Sequence, residues 1–344
     1  MNATRRRPRL PLVATLALAG LLAAPSARAQ SKTGTTLGQF ILIEPSARVT
    51  AMGNAGVTLF DGLDAAWYNP AAIGRELGHQ FVFSHGAWFA DITHDYVAAS
   101  LPAGRWGNVY ASVTSLGSGP IEVRTVSQPL GTGESYSVSD IAIVLGFGRM
   151  ITDRFSVGLQ TTWLQETIWH SSASTMTVGV GTLYRVSENG LAIGASLSNF
   201  GTAGKFDGRD LRILYDNDPS RNGDNGALPG ERFTDPFAVP VMFRLGAGLP
   251  VRIGPAHVLR FALDAFHPSD NTESVSAGAE WAWRDRAALR AGWQNAFQKD
   301  TETGPTMGAG LGGKLDAYTY RLDYAWADHG RLGSIQRFAL LVTF

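Results

Sequence analysis

The sequence contains no cysteine, and only 17% of its 344 residues are charged. The absence of cysteine excludes a disulfide framework, a thiolate metal site and a lipid anchor on an N-terminal cysteine. Basic and acidic residues balance at 29 each, which argues against nucleic acid as a partner because nucleic acid requires a basic surface. After residue 24 no apolar run reaches the about 20 residues that a membrane-spanning helix needs.

The first 29 residues have the pattern of a cleaved secretory signal. A basic start at 5–9 precedes an apolar stretch at 10–24 and the small-x-small site Ala27-Arg28-Ala29. The alternative is an N-terminal membrane anchor, although the apolar stretch is short for a span. We therefore expect the signal to be removed after residue 29.

Most of the remaining chain alternates between large apolar residues and small or polar ones, which is the pattern of β-strands. In the stretch 318–326 every second residue is aromatic or Leu, and the residues between are Thr, Arg, Asp and Ala. The polar faces carry Gly, Ala, Ser and Thr rather than the many Lys and Glu of a soluble sheet. This combination is typical of a transmembrane β-barrel, which must close because an open sheet edge cannot be satisfied in hydrocarbon.

The alternation predicts about fourteen antiparallel strands, an even number as in bacterial single-chain barrels. If the first strand runs outward from the periplasm, the short connections fall on the periplasmic side and the long ones, 117–136 and 200–238, fall outside. Tryptophans near both ends of the strands fit aromatic belts at the two membrane interfaces. We therefore predict an all-β fold, a transmembrane antiparallel β-barrel in the outer membrane of a Gram-negative-type bacterium. The predicted strands are 80–90, 94–101, 107–116, 137–149, 155–168, 174–186, 190–199, 239–250, 257–266, 273–284, 287–297, 305–316, 317–327 and 335–344.

The stretch between the signal and the first strand is too long and too ordered in character for a tail. It contains DGLDAAWYNPAAI at 61–73, in which Pro70 fixes φ and Asn69 can bond its own backbone, so a turn is expected. Such a segment can fold into the lumen as a hatch; the alternative is an ordinary loop corner without a role in transport. The candidate hatch residues are Asp61, Asp64, Trp67, Tyr68, Asn69, Pro70 and Ala71. The expected organisation is a signal at 1–29, a hatch segment at 30–78 and the barrel at 79–344.

Several motifs, taken in order, resemble the PorV/PorQ family, which is related to the FadL-type (OmpP1/FadL/TodX) outer-membrane transporters. They cover nearly the whole chain after the signal and read PSARVTAMG at 45–53, WYNPA at 67–71, LDAFHPSDN at 263–271, GAEW at 278–281, LRAGW at 289–293 and DYA at 323–325. The resemblance implies a fourteen-stranded barrel with an N-terminal hatch. For FadL-type relatives it implies that the hatch blocks the lumen and that apolar cargo leaves sideways through a gap in the wall.

For the PorV branch the resemblance implies a role in type IX secretion, in which exported proteins are accepted by their C-terminal domains. We therefore expect an outer-membrane barrel of the PorV/PorQ type that serves type IX secretion or FadL-like passage of cargo. The alternatives are a FadL-like channel for hydrophobic small molecules and a structural barrel without cargo. The expected partners are outer-membrane lipid, secretion-system components or exported proteins, and a hydrophobic ligand.

Charged residues of both signs occur on the predicted inward faces of the strands. Facing lipid, an Arg at the membrane midplane would cost roughly 2–4 kcal/mol, which favours the inward orientation. The residues form either an internal salt network that braces the wall or the hatch, or a selectivity lining. They are Arg244, Arg260, Asp264, Glu280, Arg290, Arg321 and Asp323.

No catalytic arrangement emerges from the sequence. GAGLGGK at 308–314 is close to a phosphate-binding loop, but Leu315 follows where Ser or Thr is required. Asp216, Asp218 and Asp224 offer carboxylates for Ca²⁺, although a solvated external loop explains them better. We therefore expect no enzyme activity, no cofactor and no metal.

Overall fold

The computed structural model describes residues 34–75, 78–187, 190–218, 220 and 226–344. The predicted signal at 1–29 therefore lies outside the described residues. Fourteen long strands form one antiparallel sheet, and the first strand pairs with the last, so the sheet closes into a barrel. The strands are β1 Gln80–Ala87, β2 Thr93–Pro102, β3 Asn108–Gly117, β4 Val138–Thr152, β5 Phe155–Ile168, β6 Ser171–Arg185, β7 Ala192–Gly201, β8 Met242–Ile253, β9 His257–Pro268, β10 Ser274–Trp283, β11 Ala287–Ala296, β12 Pro305–Leu315, β13 Tyr318–Asp328 and β14 Ser334–Thr343.

The seam that closes the barrel is regular along its whole length. Gln80 pairs with Thr343 at one end of the β1–β14 seam, and Ala87 pairs with Gln336 at the other. β7 and β8 also pair, although the longest connection of the chain separates them. The sheet therefore has no free edge in the membrane, and the prediction of a closed barrel of about fourteen strands is confirmed.

Most predicted strand ends differ from the structure by one to three residues, and two of these differences have a clear local reason. β1 ends at Ala87 rather than at 90, because a helical turn follows at Phe89–Asp91 with Ala90 at a positive φ of 53°. β8 begins at Met242 rather than at 239, because Pro240 has no N–H to donate to a neighbouring strand. Both differences lie at the same end of the barrel, the end where the connections are longest.

The outward faces of the strands carry the large apolar residues. On β6, Met176 and Val178 are exposed, whereas the alternating residues Thr175 and Thr177 are buried. On β8, Phe243 and Leu245 are exposed, whereas Arg244 is buried. The outer surface is thus apolar and the inner surface polar, as a barrel surrounded by lipid requires.

The connections differ in length at the two ends of the barrel. At one end they are short turns, such as the residues between β4 and β5 or between β12 and β13. At the other end the two long connections carry small hairpins, one pairing Ile121–Glu122 with Ser135–Tyr136 and one pairing Arg212–Tyr215 with Leu228–Glu231. Barrels of this kind have short periplasmic turns and long extracellular loops, so we call the two ends periplasmic and external.

The residues that precede β1, 34–75, are named the N-terminal segment. It contains the short helical turns Gln39–Leu42, Ala47–Thr50, Leu63–Trp67 and Pro70–Gly74. Ser46 caps the second of these, because its Oγ accepts a hydrogen bond from the N–H of Val49. Among the described residues, no helix is both long enough and apolar enough to cross a membrane.

Candidate functional site

The N-terminal segment contacts the inward face of the barrel so closely that several wall positions have no room for a side chain. A Cβ at Gly278 on β10 would lie 2.1 Å from the carbonyl oxygen of Met52. A Cβ at Gly158 on β5 would lie 2.2 Å from the carbonyl carbon of Pro70. Because real Cβ atoms do not approach other atoms within 3.0 Å, glycine at these positions lets the segment's backbone reach the wall on two sides.

On the side of β9–β13 the segment is attached by charges. Arg48 of the segment donates from Nη1 to Asp61 Oδ1 at 2.5 Å and from Nε to Glu280 Oε2 at 2.9 Å. Glu280 is 1% exposed and also accepts from Arg290 Nε at 2.7 Å and from Arg260 Nη1 at 2.5 Å. One buried carboxylate on the wall therefore holds three guanidinium groups, one of which belongs to the segment.

The charge pairs continue along the wall and return to the segment. Arg290 Nη1 donates to Asp323 Oδ1 at 2.7 Å, and Arg321 Nε donates to Asp323 Oδ2 at 2.6 Å. Arg321 Nη2 also donates to Asp64 Oδ2 at 3.0 Å, and this carboxylate accepts a bond of 2.6 Å from Ser46 Oγ. We name these connected groups the ionic cluster; its members are Arg48, Asp61, Asp64, Arg260, Glu280, Arg290, Arg321 and Asp323.

The ionic cluster fixes the charge of the segment's own groups. Burial acts to raise the pKa of Asp61, but the neighbouring Arg48 and then Arg260 outweigh it and hold that pKa well below its ordinary value. Burial acts to lower the pKa of Arg48, but Asp61 and Glu280 outweigh it and raise that pKa. A cavity of about 380 Å³ borders the cluster near the periplasmic end, where Asp61, Arg260 and Arg321 line it.

On the side of β4–β7 the same segment is attached by neutral hydrogen bonds. Asn69 is fully buried, and its Nδ2 donates to Val57 O at 3.1 Å and to Thr182 O at 2.9 Å. Its Oδ1 accepts a bond of 3.0 Å from the N–H of Ala71, which caps the helical turn that begins at Pro70. The wall adds Ser196 Oγ, which donates to the carbonyl of Tyr68 at 2.7 Å. We name Asn69, Pro70 and Ala71 the Asn-Pro corner.

The structure brings most of the residues predicted as sites together, but not all of them. Asp61 and Asp64 of the segment join five of the seven predicted lumen charges in the ionic cluster. The other two lie apart: Asp264 accepts a 2.9 Å bond from the N–H of Val57, and Arg244 lies over the ring of Trp67 at 4.7 Å. Sequence reasoning did not single out Arg48. An arginine that stands among small apolar residues and is followed by two acidic residues gave a usable signal of a buried ion pair.

The predicted external carboxylates show no metal arrangement in the described residues. Asp216 Oδ1 accepts from the N–H of Asp218 at 3.0 Å, and Asp218 Oδ1 accepts from the N–H of Ser220, so both cap their own loop. Asp224, the third predicted residue, lies outside the described residues. The described part of the chain contains no group of three His, Asp or Glu side chains that could hold a metal ion.

The wall has an irregularity between β6 and β7. Val178 pairs with Phe200 and Val180 pairs with Leu197, so Ser198 and Asn199 have only one residue opposite them. Asn199 has a positive φ of 65°. This β-bulge has a cavity on each face of the wall: an outward groove of about 750 Å³ that Phe200 lines, and a small inner cavity of about 30 Å³ that Ser198 and Asn199 line.

Comparison with known proteins identifies the fold. No family model matches the chain, and no curated protein matches it. Among solved structures, the toluene transporter TodX of Pseudomonas putida matches with 13% identity and a TM-score of 0.54, covering 86% of this chain and 96% of that one. The toluene transporter TbuX of Ralstonia pickettii matches with 11% identity and a TM-score of 0.53, with the same coverage of 86% and 96%. A FadL homologue of Pseudomonas aeruginosa matches with 11% identity and a TM-score of 0.52, covering 87% and 97%.

The closed barrel with its apolar outer face therefore belongs to the class of outer-membrane β-barrels of Gram-negative-type bacteria. Within that class it has the FadL-like fold of these solved transporters.

Proposed function

We propose that the protein is a FadL-like channel that carries hydrophobic small molecules across the outer membrane, with the N-terminal segment as the hatch that blocks its lumen. The observation that carries the proposal is the β6–β7 bulge, because a small cavity lies on its inner face and an apolar groove lies on its outer face. The solved structures of similar fold include proteins named toluene transporters, which supports the same class of cargo. They favour this reading over a role in type IX secretion.

The two possible routes through the barrel differ in polarity. A path along the axis to the periplasm meets the ionic cluster, where Arg48 and Glu280 are almost fully buried. An apolar molecule cannot replace the hydrogen bonds of those charges, so passage there is unfavourable. A path sideways meets Met176, Val178 and Phe200, which are apolar and face the lipid. Entering lipid removes apolar surface from water at a gain of about 25 cal/mol per Å².

A reversible cross-link tests the sideways route. Val178 and Phe200 are directly paired at the bulge, and since the chain has no cysteine, the pair V178C and F200C can form a disulfide without interference. Oxidation should stop uptake of toluene by cells that express the variant, and reduction of the same sample should restore it. The matched control is V97C with V113C, another directly paired couple on outward faces, for which oxidation should leave uptake unchanged.

Two outcomes would contradict this assignment. If the V178C and F200C disulfide forms fully and toluene uptake is unaltered, cargo does not leave at the bulge. If cells that express the unmodified chain take up no more toluene than cells without it, while exported proteins sharing a C-terminal domain co-purify with the barrel, the secretion role replaces the channel.

A further inference from the structure

The outward face of β1 and β2 carries an acid–base pair. His85 on β1 and Asp95 on β2 are directly paired, and Nδ1 of His85 lies 2.7 Å from Oδ1 of Asp95. Because an ionised carboxylate only accepts, His85 donates this bond. The two side chains are 46% and 41% exposed, on the same face as Phe83 and Val97. The pair therefore faces outward, toward the lipid, and not into the lumen.

The height of this pair on the wall places it inside the apolar band of the barrel. His85 is paired with Phe338 on β14, and the chain runs on from there to Phe344 at the periplasmic end. Phe344 packs edge-on against Tyr318, the first residue of β13, at 5.5 Å, as in the aromatic girdle that marks a membrane boundary. With about 3.3 Å per residue and a strand tilt of about 40°, His85 lies roughly 15 Å above that girdle, whereas the apolar band of such barrels is about 25 Å tall.

A similar pair on the outer surface lies at the end of a strand instead. His267 pairs with Glu273 at 3.0 Å, but His267 is the last residue but one of β9, and Glu273 belongs to the external connection that follows. Charge is tolerated at that level, because water and lipid head groups are within reach. Inside the band, acyl chains offer no hydrogen bonds, so an ionisable pair there indicates a function.

The apolar surface is also shorter around this pair than on the opposite side of the barrel. On β1 the exposed large apolar residues are Phe81 and Phe83. On β8, seven strands away among the fourteen, they run from Phe243 to Ile253. The outward surface of β1 therefore matches the thickness of the hydrocarbon less well than that of β8 does. A partner that covers it removes both the exposed pair and the mismatch.

We propose that the outward surface of β1, β2 and β3, named the β1–β3 face, is the interface with a second copy of this chain. An acid and a base side by side are complementary to themselves, because a two-fold axis between them brings His85 of each copy to Asp95 of the other. The exposed residues Ala99 and Ala111, directly paired on the same face, let two walls approach closely. The bulge begins three strands beyond β3, at β6, so it stays in contact with lipid in such a dimer.

Cross-linking in isolated outer membranes tests the interface, because the chain has no cysteine of its own. Val97→Cys places a thiol next to the pair on the β1–β3 face. Leu245→Cys is the matched control, an exposed apolar position on β8 at the opposite side. A short bis-maleimide should convert V97C to a dimer on a denaturing gel and leave L245C as a monomer. The unmodified chain should sediment in mild detergent with the protein mass of two chains.

An exchange of charges tests whether His85 and Asp95 hold the two copies together. His85→Asp and Asp95→His, each combined with V97C, leave two like side chains at the two-fold axis. Each should lower the cross-linked fraction about tenfold or more, the effect of one unfavourable charged contact. The two changes together restore one acid and one base and should restore the cross-link.

Heat-modifiable migration on a gel confirms that each variant is folded, so a lost cross-link is not a lost barrel. A V97C chain that stays monomeric, together with the sedimentation of a single chain, would overturn the dimer and leave the pair facing lipid. Equal cross-linking of V97C and L245C would show random encounters and would overturn the interface as well. Single charge variants that cross-link as well as V97C alone would show that the pair does not hold the copies together.

Discussion

The two walls that hold the N-terminal segment do so by different chemistry. Along β9–β13 the attachment is ionic: Arg48 and Asp64 of the segment pair with Glu280 and Arg321 of the wall. Along β4–β7 it is neutral: Asn69 and backbone carbonyls of the segment meet the carbonyl of Thr182 and serine hydroxyls of the wall. Both walls also carry glycines where the segment's backbone touches them.

We name the β9–β13 side the ionic wall and the β4–β7 side the neutral wall. They show two ways to attach a segment inside a barrel. The ionic wall depends on complete pairing, because a charge left alone away from water is far more costly than a pair is favourable. The neutral wall depends on fit, because each of its hydrogen bonds contributes only about 1 kcal/mol and needs correct placement. The ionic wall is therefore the one that a single change of charge can undo.

The largest expected effect is at the centre of the ionic wall. Glu280→Gln keeps the size of the side chain but removes the charge that Arg48, Arg260 and Arg290 share. We expect the free energy of unfolding in urea to fall by about 3–5 kcal/mol, the range for breaking a buried ion pair. We also expect permeability to small solutes to rise in vesicles, because Arg48 loses its wall partner.

Glu273→Gln is the control, since the ion pair of Glu273 within the described residues is with His267 and both side chains are largely exposed. It should change neither quantity. A loss of stability without a rise in permeability would show that the ionic wall braces the barrel but does not hold the segment in place.

The fold was predictable because its signal is local. A strand such as 318–326 shows its two faces within nine consecutive residues. One face is aromatic or Leu and the other is small or polar, and this combination predicts a closed barrel in a membrane. The turn at Asn69-Pro70 was predictable for the same reason, since a short side chain that caps its own backbone needs only its neighbours.

The partners within the site were not predictable, because they depend on how the strands are staggered around the barrel. Arg48 and Glu280 are 232 positions apart in the sequence. Arg244 and Arg260 look alike, each an arginine on an inward face, yet among the described residues only Arg260 forms an ion pair. The bulge was also missed, although Asn199 tolerates the positive φ found there and so gave a weak signal.

A smaller effect is expected at the neutral wall. Asn69→Ala removes the donor to the carbonyls of Val57 and Thr182 and the acceptor of the Ala71 N–H. We expect the free energy of unfolding to fall by about 2–3 kcal/mol, since these are net losses of about 1 kcal/mol each. The loss should be independent of salt between low and high ionic strength, because no charge is involved. A clear salt dependence would mean that the corner is coupled to the ionic wall and that the two attachments are not separate.

The smallest expected effect is at the exposed edge of the ionic wall, where Asp61→Asn removes a carboxylate whose side chain is 38% exposed. Solvent screening limits the loss to about 1 kcal/mol or less, and Arg48 keeps Glu280 as a partner. The folded pKa of Asp61 is lowered, so its pairing contributes stability above the unfolded pKa of 3.8 and loses it as the pH falls toward the folded pKa. The free energies of unfolding of wild type and variant in urea should therefore differ by the same amount at pH 7 and pH 5, and the difference should shrink only below about pH 4.

Glu122→Gln, in an exposed pair with Arg124 of the external hairpin, is the control and should show no difference at either pH. A difference that already disappears at pH 5 would mean that Asp61 is protonated there and that Arg48 does not hold it.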